Sequence, residues 1–165
     1  MILLDFSGTF IGAFARSPDK ENPSPMLIKN MVYTMIKSYT KRFKKEYGEV
    51  VICCDSKDNW RKDYFPYYKA NRDNHKESQK QKRQFEWNFL YEVLNETVEE
   101  MNEFFPYKVL KVDKTEADDI IAVLAQNAKE KTLIISSDKD FIQLLNENVS
   151  IYQPIKNILH FVEKE

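Results

Sequence analysis

Short apolar runs that alternate with helical periodicity constrain the fold of this chain more than any other feature of its sequence. Four runs of strand length are Met1–Leu4, Glu49–Cys54, Tyr107–Val112 and Thr132–Ser136, with two weaker ones at Val149–Tyr152 and Ile158–Val162. Continuous apolar strands separated by helices are typical of βα units, in which a parallel sheet is buried on both faces. The pattern therefore predicts an α/β fold, a single three-layer domain over residues 1–165 with helices on both faces of a mostly parallel sheet.

Three segments between the strands repeat apolar residues at the spacing of an α-helix. Their apolar positions are Ile28, Val32, Met35, Ile36, Tyr39 and Phe43, then Leu90, Leu94, Val98, Met101 and Phe105, and finally Ile120, Ile121, Leu124 and Ala128. The pairs Ser24-Pro25 and Thr115-Glu116 predict helix N-termini. The polar stretch 71–82 has no apolar face and predicts a mobile loop or a poorly ordered segment.

The positions of the cysteines and the hydropathy of the sequence indicate the cellular compartment of the protein. Cys53 and Cys54 are neighbours on a predicted strand, so they point to opposite faces and are poorly placed to bridge each other. This favours a reducing, cytoplasmic compartment, that of the host if the protein is viral. No apolar run approaches the roughly 18 to 20 residues of a membrane span, so we expect no membrane partner.

Charge is segregated along the chain although the net charge is only −1. Residues 56–83 carry nine Lys/Arg against four Asp/Glu, whereas residues 84–119 carry three against ten. This asymmetry indicates a polyanionic partner beside a cation site. With three glycines, the chain has neither a GxGxxG nor a Walker pattern, which excludes the common nucleotide-phosphate loops.

Acidic residues follow three of the predicted strands. Asp5 follows M-I-L-L, Asp55 follows V-V-I-C-C, and Asp138 and Asp140 follow L-I-I-S-S. A further group, Glu116, Asp118 and Asp119, opens the helix after the third strand. Because ligands of open parallel sheets bind at the carboxyl ends of the strands, we expect all of these side chains at one edge of the sheet.

Each acid taken alone has an ordinary structural explanation as a helix cap, a first-turn residue or a solvated turn. Their coincidence at one edge requires neutralisation, and shared protons explain one close pair but not five or six acids. Oxygen ligands are those that Mg²⁺ or Mn²⁺ prefers, and no histidine or cysteine at a strand end indicates zinc; we expect His75 and His160 at the surface. The acids therefore predict a site for divalent ions.

The segment W-R-K-D-Y-F-P-Y-Y-K-A-N-R, residues 60–72, interleaves cations with aromatic rings shortly after Asp55. Such a segment suits phosphate contacts and base stacking, and its candidate nucleic-acid-binding residues are Arg61, Tyr64, Tyr68, Lys69 and Arg72. Carboxylate-held pairs of divalent ions suit phosphodiester hydrolysis and need no side-chain nucleophile. No Ser–His–Asp or Cys–His arrangement is evident here.

Four motifs give the chain a resemblance to the metal-dependent 5′ nucleases, and especially to the bacteriophage RNase H and flap endonuclease branch with its PIN-like fold. The motifs are L-L-D-F-S-G-T at Asp5, C-D-S-K-D-N-W-R-K-D-Y-F-P-Y-Y-K-A-N-R at Asp55, E-A-D-D-I-I-A at Glu116 and S-S-D-K-D-F-I-Q-L at Asp138. They occur in the family's order over about residues 1–145. The resemblance implies hydrolysis from a 5′ end or flap, on DNA or RNA–DNA hybrids, in the removal of replication primers.

The resemblance also implies roles for individual residues. Asp5, Asp55, Glu116 and Asp118 match the acids of a first Mg²⁺ site, while Asp138 and Asp140 match a second, with Asp118 or Asp119 between the two. Lys69 and Arg72 match a basic pair that reaches the scissile phosphate, and Tyr68 is a candidate for stacking on the terminal base. Residues of about 71–84 fall where the family has a helical arch, which we expect to be flexible.

The resemblance is incomplete at the carboxyl terminus. Relatives continue into a helix–loop–helix module that grips duplex DNA and supplies a further aspartate, and the sequence to Glu165 lacks a match to it. We therefore expect the chain to be a fragment, a separately encoded half, or a minimal nuclease that obtains the module from elsewhere. A clamp or a single-strand-binding protein is a further candidate partner. Two alternatives are a small PIN-type ribonuclease of the toxin kind and a non-catalytic nucleic-acid-binding protein of replication.

Overall fold

The structure, a computed structural model, describes residues 1–18, 23–69 and 77–163, and for residues 77–86 the backbone alone. Six strands are β1 (Ile2–Asp5), β2 (Val50–Cys54), β3 (Lys108–Lys111), β4 (Thr132–Ile135), β5 (Val149–Gln153) and β6 (Ile158–His160). The helices are α1 (Phe6–Ala15), α2 (Pro25–Tyr47), α3 (Trp60–Tyr64), α4 (Glu77–Phe104), α5 (Ala117–Gln126) and a 3₁₀ helix (Lys139–Leu144). All six predicted strands are confirmed to within a few residues.

The strands form one sheet in the order β3-β2-β1-β4-β5-β6. The first five are parallel to one another, and β6 pairs antiparallel with β5. Strand β1 lies at the centre, where Leu3 is in register with Val51 of β2 and Ile134 of β4. The predicted mostly parallel α/β sheet is confirmed, and β2, β1 and β4 present their carboxyl ends side by side.

Alternate residues of the strands bury opposite faces of the sheet, as the two-residue period of a strand requires. One core contains Ile2, Leu4 and Cys54 and packs against α1, α2 and α4. The other contains Leu3 and Cys53 and packs against α5 and the 3₁₀ helix. The two cysteines are free and buried on opposite faces, as expected. The result is three layers whose helices cover both faces of the sheet.

The local signals for helix ends are also confirmed. Ser24 caps α2, with its side chain accepting a hydrogen bond from the Leu27 N–H, and Pro25 occupies the first helical position. Glu116 is the N-cap of α5 and forms a capping box with Asp119. No helix within the described ranges is both long and apolar enough to cross a membrane.

Two helical segments differ from the sequence prediction. Helix α1 was not predicted, because F-S-G-T-F-I-G-A-F-A contains two glycines and aromatic residues that weaken an isolated helix. Tertiary packing overrides that propensity, since Phe6, Phe10 and Ala13 are fully buried on one side of α1. The loop prediction for 71–82 is wrong for residues 77–82, whose backbone belongs to α4; residues 71–76 lie outside the described part of the chain. The polar composition of 77–82 gives no apolar period from which a helix could be predicted.

Gly48 provides a test of backbone strain at the end of α2. It has a φ of +85° and ψ of −144°, a region that L side chains rarely adopt, and nothing lies within 4 Å of the position of a Cβ. We expect Gly48→Ala to lower the free energy of unfolding by about 1–3 kcal/mol through strain alone. Urea denaturation followed by circular dichroism measures this change.

Gly12→Ala in α1 is the matched control, because Gly12 has ordinary helical geometry and its Cβ would meet only the flexible Arg16 guanidinium, at 3.3 Å. We expect this control to gain about 0.5–1 kcal/mol, the usual advantage of alanine within a helix. Equal effects of the two substitutions would contradict the assignment of strain to Gly48.

Candidate metal centre

Three adjacent strands deliver aspartates to the same edge of the sheet. Asp5 is the last residue of β1, Asp55 directly follows β2, and Asp138 begins the 3₁₀ helix that follows β4. Because β1 lies between β2 and β4, Asp5 stands between the other two along the carboxyl edge. The expectation that the strand-end acids share one edge is therefore met.

The N-terminus of α5 brings a second group of acids to this edge. The Ala117 N–H donates a hydrogen bond to Asp55 Oδ1 (2.7 Å), and the Ser56 N–H donates to the Thr115 carbonyl (2.8 Å). These bonds join the start of α5 to the end of β2. Glu116 and Asp118, on the first turn of α5, consequently lie beside the strand-end aspartates.

Asp5 is held by donors from two elements. Its Oδ1 accepts from the Gly8 N–H (3.0 Å) and its Oδ2 from the Ser136 hydroxyl (2.8 Å), while the Asp138 N–H donates to Ser136 Oγ (3.1 Å). A Cβ on Gly8 would lie 2.6 Å from Asp5 Oδ2, so only glycine fits there. Burial raises the pKa of Asp5 above its ordinary value, the two donors oppose that shift, and the charges of Asp55 and Asp138 add to it.

Asp118 carries the clearest electrostatic signature of the cluster. Its pKa is raised to about 6, first by desolvation from the surrounding protein atoms and then by the negative charges of Asp5, Asp55, Asp138 and Glu116, although the residue is exposed at the surface. Five carboxylates thus repel one another at the carboxyl edge, which is the situation the sequence analysis predicted. Asp140 is exposed, and its backbone N–H donates to Asp138 Oδ1 (2.9 Å).

Asp119, also a candidate metal ligand, faces a different partner. Arg61 binds both of its oxygens, with nitrogen–oxygen distances of 2.7 and 2.9 Å, and the Trp60 indole N–H donates to Oδ2 (3.2 Å). The hydrogen bonds of Arg61 are the main reason that the pKa of Asp119 lies below its ordinary value. A bidentate arginine pair of this kind holds α3 against the start of α5. The metal-binding role of Asp119 remains a prediction.

Glu116 is engaged by residues predicted to contact nucleic acid. Lys69 Nζ lies 2.6 Å from Glu116 Oε1, and the Tyr68 hydroxyl donates to Oε2 (3.1 Å). Lys69 has a φ of +59°, a left-handed conformation that costs a side-chain-bearing residue about 1–2 kcal/mol. The structure therefore brings Lys69, Tyr68 and Arg61 together beside α5.

The remaining residues of the aromatic segment are exposed. Tyr64 is 85% exposed and Tyr67 is 75% exposed, and Phe65, also exposed, contacts the Tyr67 ring edge to face with centroids 5.8 Å apart. Arg72 and His75 lie outside the described residues, and His160 is half-buried on β6, within 3.3 Å of the Gln153 side-chain oxygen.

Two serines were missed by the sequence analysis. Ser7 donates a hydrogen bond to Asp55 Oδ2, and Ser136, which is 4% exposed, donates to Asp5 as described above. Each serine lies two residues from an acid, in the motifs D-F-S and S-S-D. That proximity was the available signal, but which carboxylate each hydroxyl binds depends on strand order.

The cluster was tested for its fit to a metal ion. Among the described residues, no three acidic, histidine or cysteine side chains form a group that could hold an ion as they stand. Most of these carboxylates accept hydrogen bonds from the protein itself, from Gly8, Ser7, Ser136, Ala117 and Lys69. The donor set, entirely carboxylate oxygen and mutually repelling, is nevertheless of the chemistry that a hard divalent cation neutralises.

The fold and the site together define the class of this protein. It is an α/β domain with a cluster of carboxylates at the ends of adjacent strands. Within that class, the model of the family described as 5′-3′ exonuclease, N-terminal resolvase-like domain, matches residues 1–165, and the chain belongs to this family.

Curated relatives agree with this assignment. Ribonuclease H of Enterobacteria phage T4 is 35% identical over 161 residues, which are 93% of this chain and 52% of that protein. A 5′-3′ exonuclease of Buchnera aphidicola (subsp. Schizaphis graminum) is 32% identical over 152 residues, 88% of this chain and 47% of that protein. The chain thus spans about half the length of the curated relatives it matches.

Solved structures show the same fold at lower sequence identity. Bacteriophage T5 5′-exonuclease with bound zinc ions superposes with a TM-score of 0.75 and 19% identity, covering 98% of this chain and 57% of that one. A complex of T5 flap endonuclease with DNA and metal ions gives a TM-score of 0.68 and 21% identity, covering 97% and 57%. These likenesses establish the fold of the described domain.

The repulsion at Asp118 predicts a gain in stability when its charge is removed. A folded-state pKa of about 6, above the ordinary 3.8, means that the folded protein binds more protons than the unfolded chain between these pH values. Stability then falls as pH rises from about 4 to 6. We expect Asp118→Asn to raise the urea midpoint at pH 8 in EDTA and to lose that advantage at pH 4.

Asp113→Asn is the matched control, because Asp113 is exposed and lies in the turn before α5. We expect this control to change the midpoint little at either pH. Addition of Mg²⁺ at pH 8 should stabilise the unmodified protein more than Asp118→Asn, since a bound cation stabilises only the folded state. Equal midpoints of Asp118→Asn and the unmodified protein at pH 8 would contradict the assigned repulsion.

Proposed function

We propose that this chain is the nuclease domain of a Mg²⁺-dependent 5′ to 3′ exonuclease and flap endonuclease with RNase H-like activity. It hydrolyses phosphodiesters of DNA and RNA–DNA hybrids that carry 5′ ends or flaps, in primer removal during replication. The observation that carries the proposal is the cluster of repelling carboxylates at three adjacent strand ends and α5, in a member of the 5′-3′ exonuclease family.

Two ions are proposed for this edge, with Mn²⁺ able to replace Mg²⁺. Asp5, Asp55, Glu116 and Asp118 would hold one, and Asp138 and Asp140 the other, with Asp118 or Asp119 between them. Bound divalent ions supply a water of lowered pKa and stabilise charge on the phosphate. The named divalent ions in T5 5′-exonuclease support metal binding by this fold, although those are zinc.

The residues of the chain itself hold and orient the substrate. Lys69 and Arg72 are proposed to contact the scissile phosphate and stabilise its developing charge. Arg61 presents a cation stacked on Trp60, with 4.7 Å between the guanidinium carbon and the ring centroid. The exposed Tyr64 and the neighbouring Tyr68 offer rings for base stacking. When substrate binds, the Lys69 ammonium leaves its ion pair with Glu116 and contacts a phosphate instead.

The nuclease domain is proposed to act together with other protein modules and partners. The predicted arch of about residues 71–84 includes residues 71–76, which lie outside the described part of the chain, and residues 77–84, whose backbone belongs to α4. A duplex-binding helix–loop–helix module is proposed as a partner of this domain. The curated relatives are about twice as long as the matched region. A clamp or single-strand-binding protein is a further proposed partner, and the cytoplasm of the cell or host is the proposed location.

Cleavage products test the proposed function. The chain is incubated with Mg²⁺ or Mn²⁺ and 5′-labelled flap, RNA–DNA hybrid and single-stranded RNA substrates. Short labelled products from the flap and the hybrid support the proposal. Cutting confined to single-stranded RNA would replace it by a PIN-type ribonuclease, and binding without cleavage in either metal would replace it by a non-catalytic nucleic-acid-binding role.

Asp138→Asn tests the assignment of the centre. We expect cleavage of the flap substrate to fall by about 10²-fold or more, because a catalytic ion stabilises the transition state by several kcal/mol. The circular dichroism spectrum should be unchanged, since Asp138 is exposed. Lys139→Gln, the exposed neighbour, is the control and should cut within about threefold of the unmodified protein. Unaltered cleavage by Asp138→Asn would remove this assignment.

A further inference from the structure

A narrow cleft opens beside the carboxylate cluster, on the side away from Lys69. Its walls include Gly12 and Arg16 of α1, Tyr39 of α2, Ser137 after β4 and Ile155 after β5. The space inside it is about 20 Å³, which admits one water-sized group, such as a single oxygen of a phosphate at its mouth, and excludes a nucleobase. The cleft is called the Arg16 cleft below.

The Arg16 cleft shares a wall with the centre. Gly8 and Ser136 line the cleft, and both donate hydrogen bonds to Asp5. Arg61 and Lys69 pair with residues of α5, which is joined to β2, whereas the cleft borders β4 and the turn after β5. The strand order is β2-β1-β4-β5. The cleft and the two cations Arg61 and Lys69 therefore lie on opposite sides of Asp5.

Arg16 has a positive charge that no acidic side chain of the described residues neutralises by an ion pair. Its Nη1 donates one hydrogen bond, to the Gly12 carbonyl (2.9 Å). Arg61 and Lys69, by contrast, are each within 2.7 Å of a carboxylate oxygen. Because a guanidinium has five donors, Arg16 retains several for a ligand.

The glycine at position 12 has no packing explanation within the described residues. A Cβ at Gly8 would strike Asp5, which accounts for that glycine, but a Cβ at Gly12 would meet only the end of the Arg16 side chain. Glycine inside a helix costs about 0.5–1 kcal/mol relative to alanine. Its presence leaves a bare strip of helix surface between Asp5 and Arg16.

We propose that the Arg16 cleft binds a backbone phosphate of the nucleic-acid strand whose neighbouring phosphodiester lies at the carboxylate cluster. The inference rests on the proposed function and adds a substrate contact on the opposite side of the centre from Lys69. Gly8 and Arg16 are about 12 Å apart along α1 at 1.5 Å per residue, so the phosphate belongs to a nucleotide close to the scissile one. The contact is independent of base sequence, because the cleft is too small for a nucleobase and a phosphate carries no sequence information.

Two substitutions in the cleft separate this role from a structural one. Arg16→Gln keeps an amide donor for the Gly12 carbonyl but removes the charge, and Gly12→Ala fills the bare strip with a methyl group. Lys45→Gln is the control, since Lys45 is an exposed cation in the last turn of α2, near the opposite edge of the sheet. All three are made in the Asp138→Asn background with Mg²⁺, so that 5′-labelled flap DNA is bound and not cut.

Fluorescence anisotropy measures the dissociation constant over a range of salt concentrations. We expect Arg16→Gln to weaken binding about tenfold or more, as for loss of a charged hydrogen bond, and to reduce the dependence of log K on log salt by about one. Gly12→Ala should weaken binding of the flap DNA and at the same time raise the urea midpoint of unfolding. A loss of affinity in a more stable protein would not be explained by misfolding. Lys45→Gln should bind like the background protein.

The outcomes distinguish this inference from the function on which it rests. If the background protein binds the flap but Arg16→Gln and Gly12→Ala bind equally well, the Arg16 cleft has no such role and the proposed function stands. Loss of stability in Arg16→Gln with an unchanged salt dependence would show a helix-capping arginine and overturn the inference. Failure of the unmodified protein to bind or cut any labelled substrate would overturn both.

Discussion

Electrostatic repulsion among carboxylates is the constraint on which the rest of this structure depends. Asp5, Asp55, Asp138, Glu116 and Asp118 meet at the carboxyl edge of a parallel sheet, where desolvation and mutual charge raise the pKa of Asp118 to about 6. Such a cluster destabilises the fold unless something offsets it. The buried sheet beneath supplies the free energy that keeps these groups together, with two cores packed on its opposite faces.

The surroundings of the cluster follow from that repulsion. Backbone and hydroxyl groups donate hydrogen bonds to the strand-end aspartates. Arg61 pairs with Asp119, and Lys69 pairs with Glu116 at the start of α5. Each of these donors forms a hydrogen bond or ion pair with a carboxylate at this edge of the sheet. The cost of holding Lys69 in a left-handed conformation fits a residue positioned for a function. A divalent cation and a phosphate are together the ligands that such a set of acids and cations complements.

The strands were predictable from the sequence, whereas two helical segments were not. The six strands are local apolar runs with turn residues at their ends, so their positions were readable within a few residues. Helix α1 was not, because Gly8 and Gly12 argue against a helix and their value lies in contacts with Asp5 and in the surface beside Arg16. The start of α4 was likewise misread, since a polar helix beyond the core carries no apolar period.

The sequence by itself determined that aspartates follow three strands and that a fourth acidic group opens a helix, because strand ends and caps are properties of neighbouring residues. Only the tertiary structure decided that Arg61 pairs with Asp119 and Lys69 with Glu116, partners 58 and 47 residues apart. It also decided that Ser136 reaches Asp5 across 131 residues. These contacts depend on strand order, which no local pattern encodes, since parallel neighbours are joined through helices of any length.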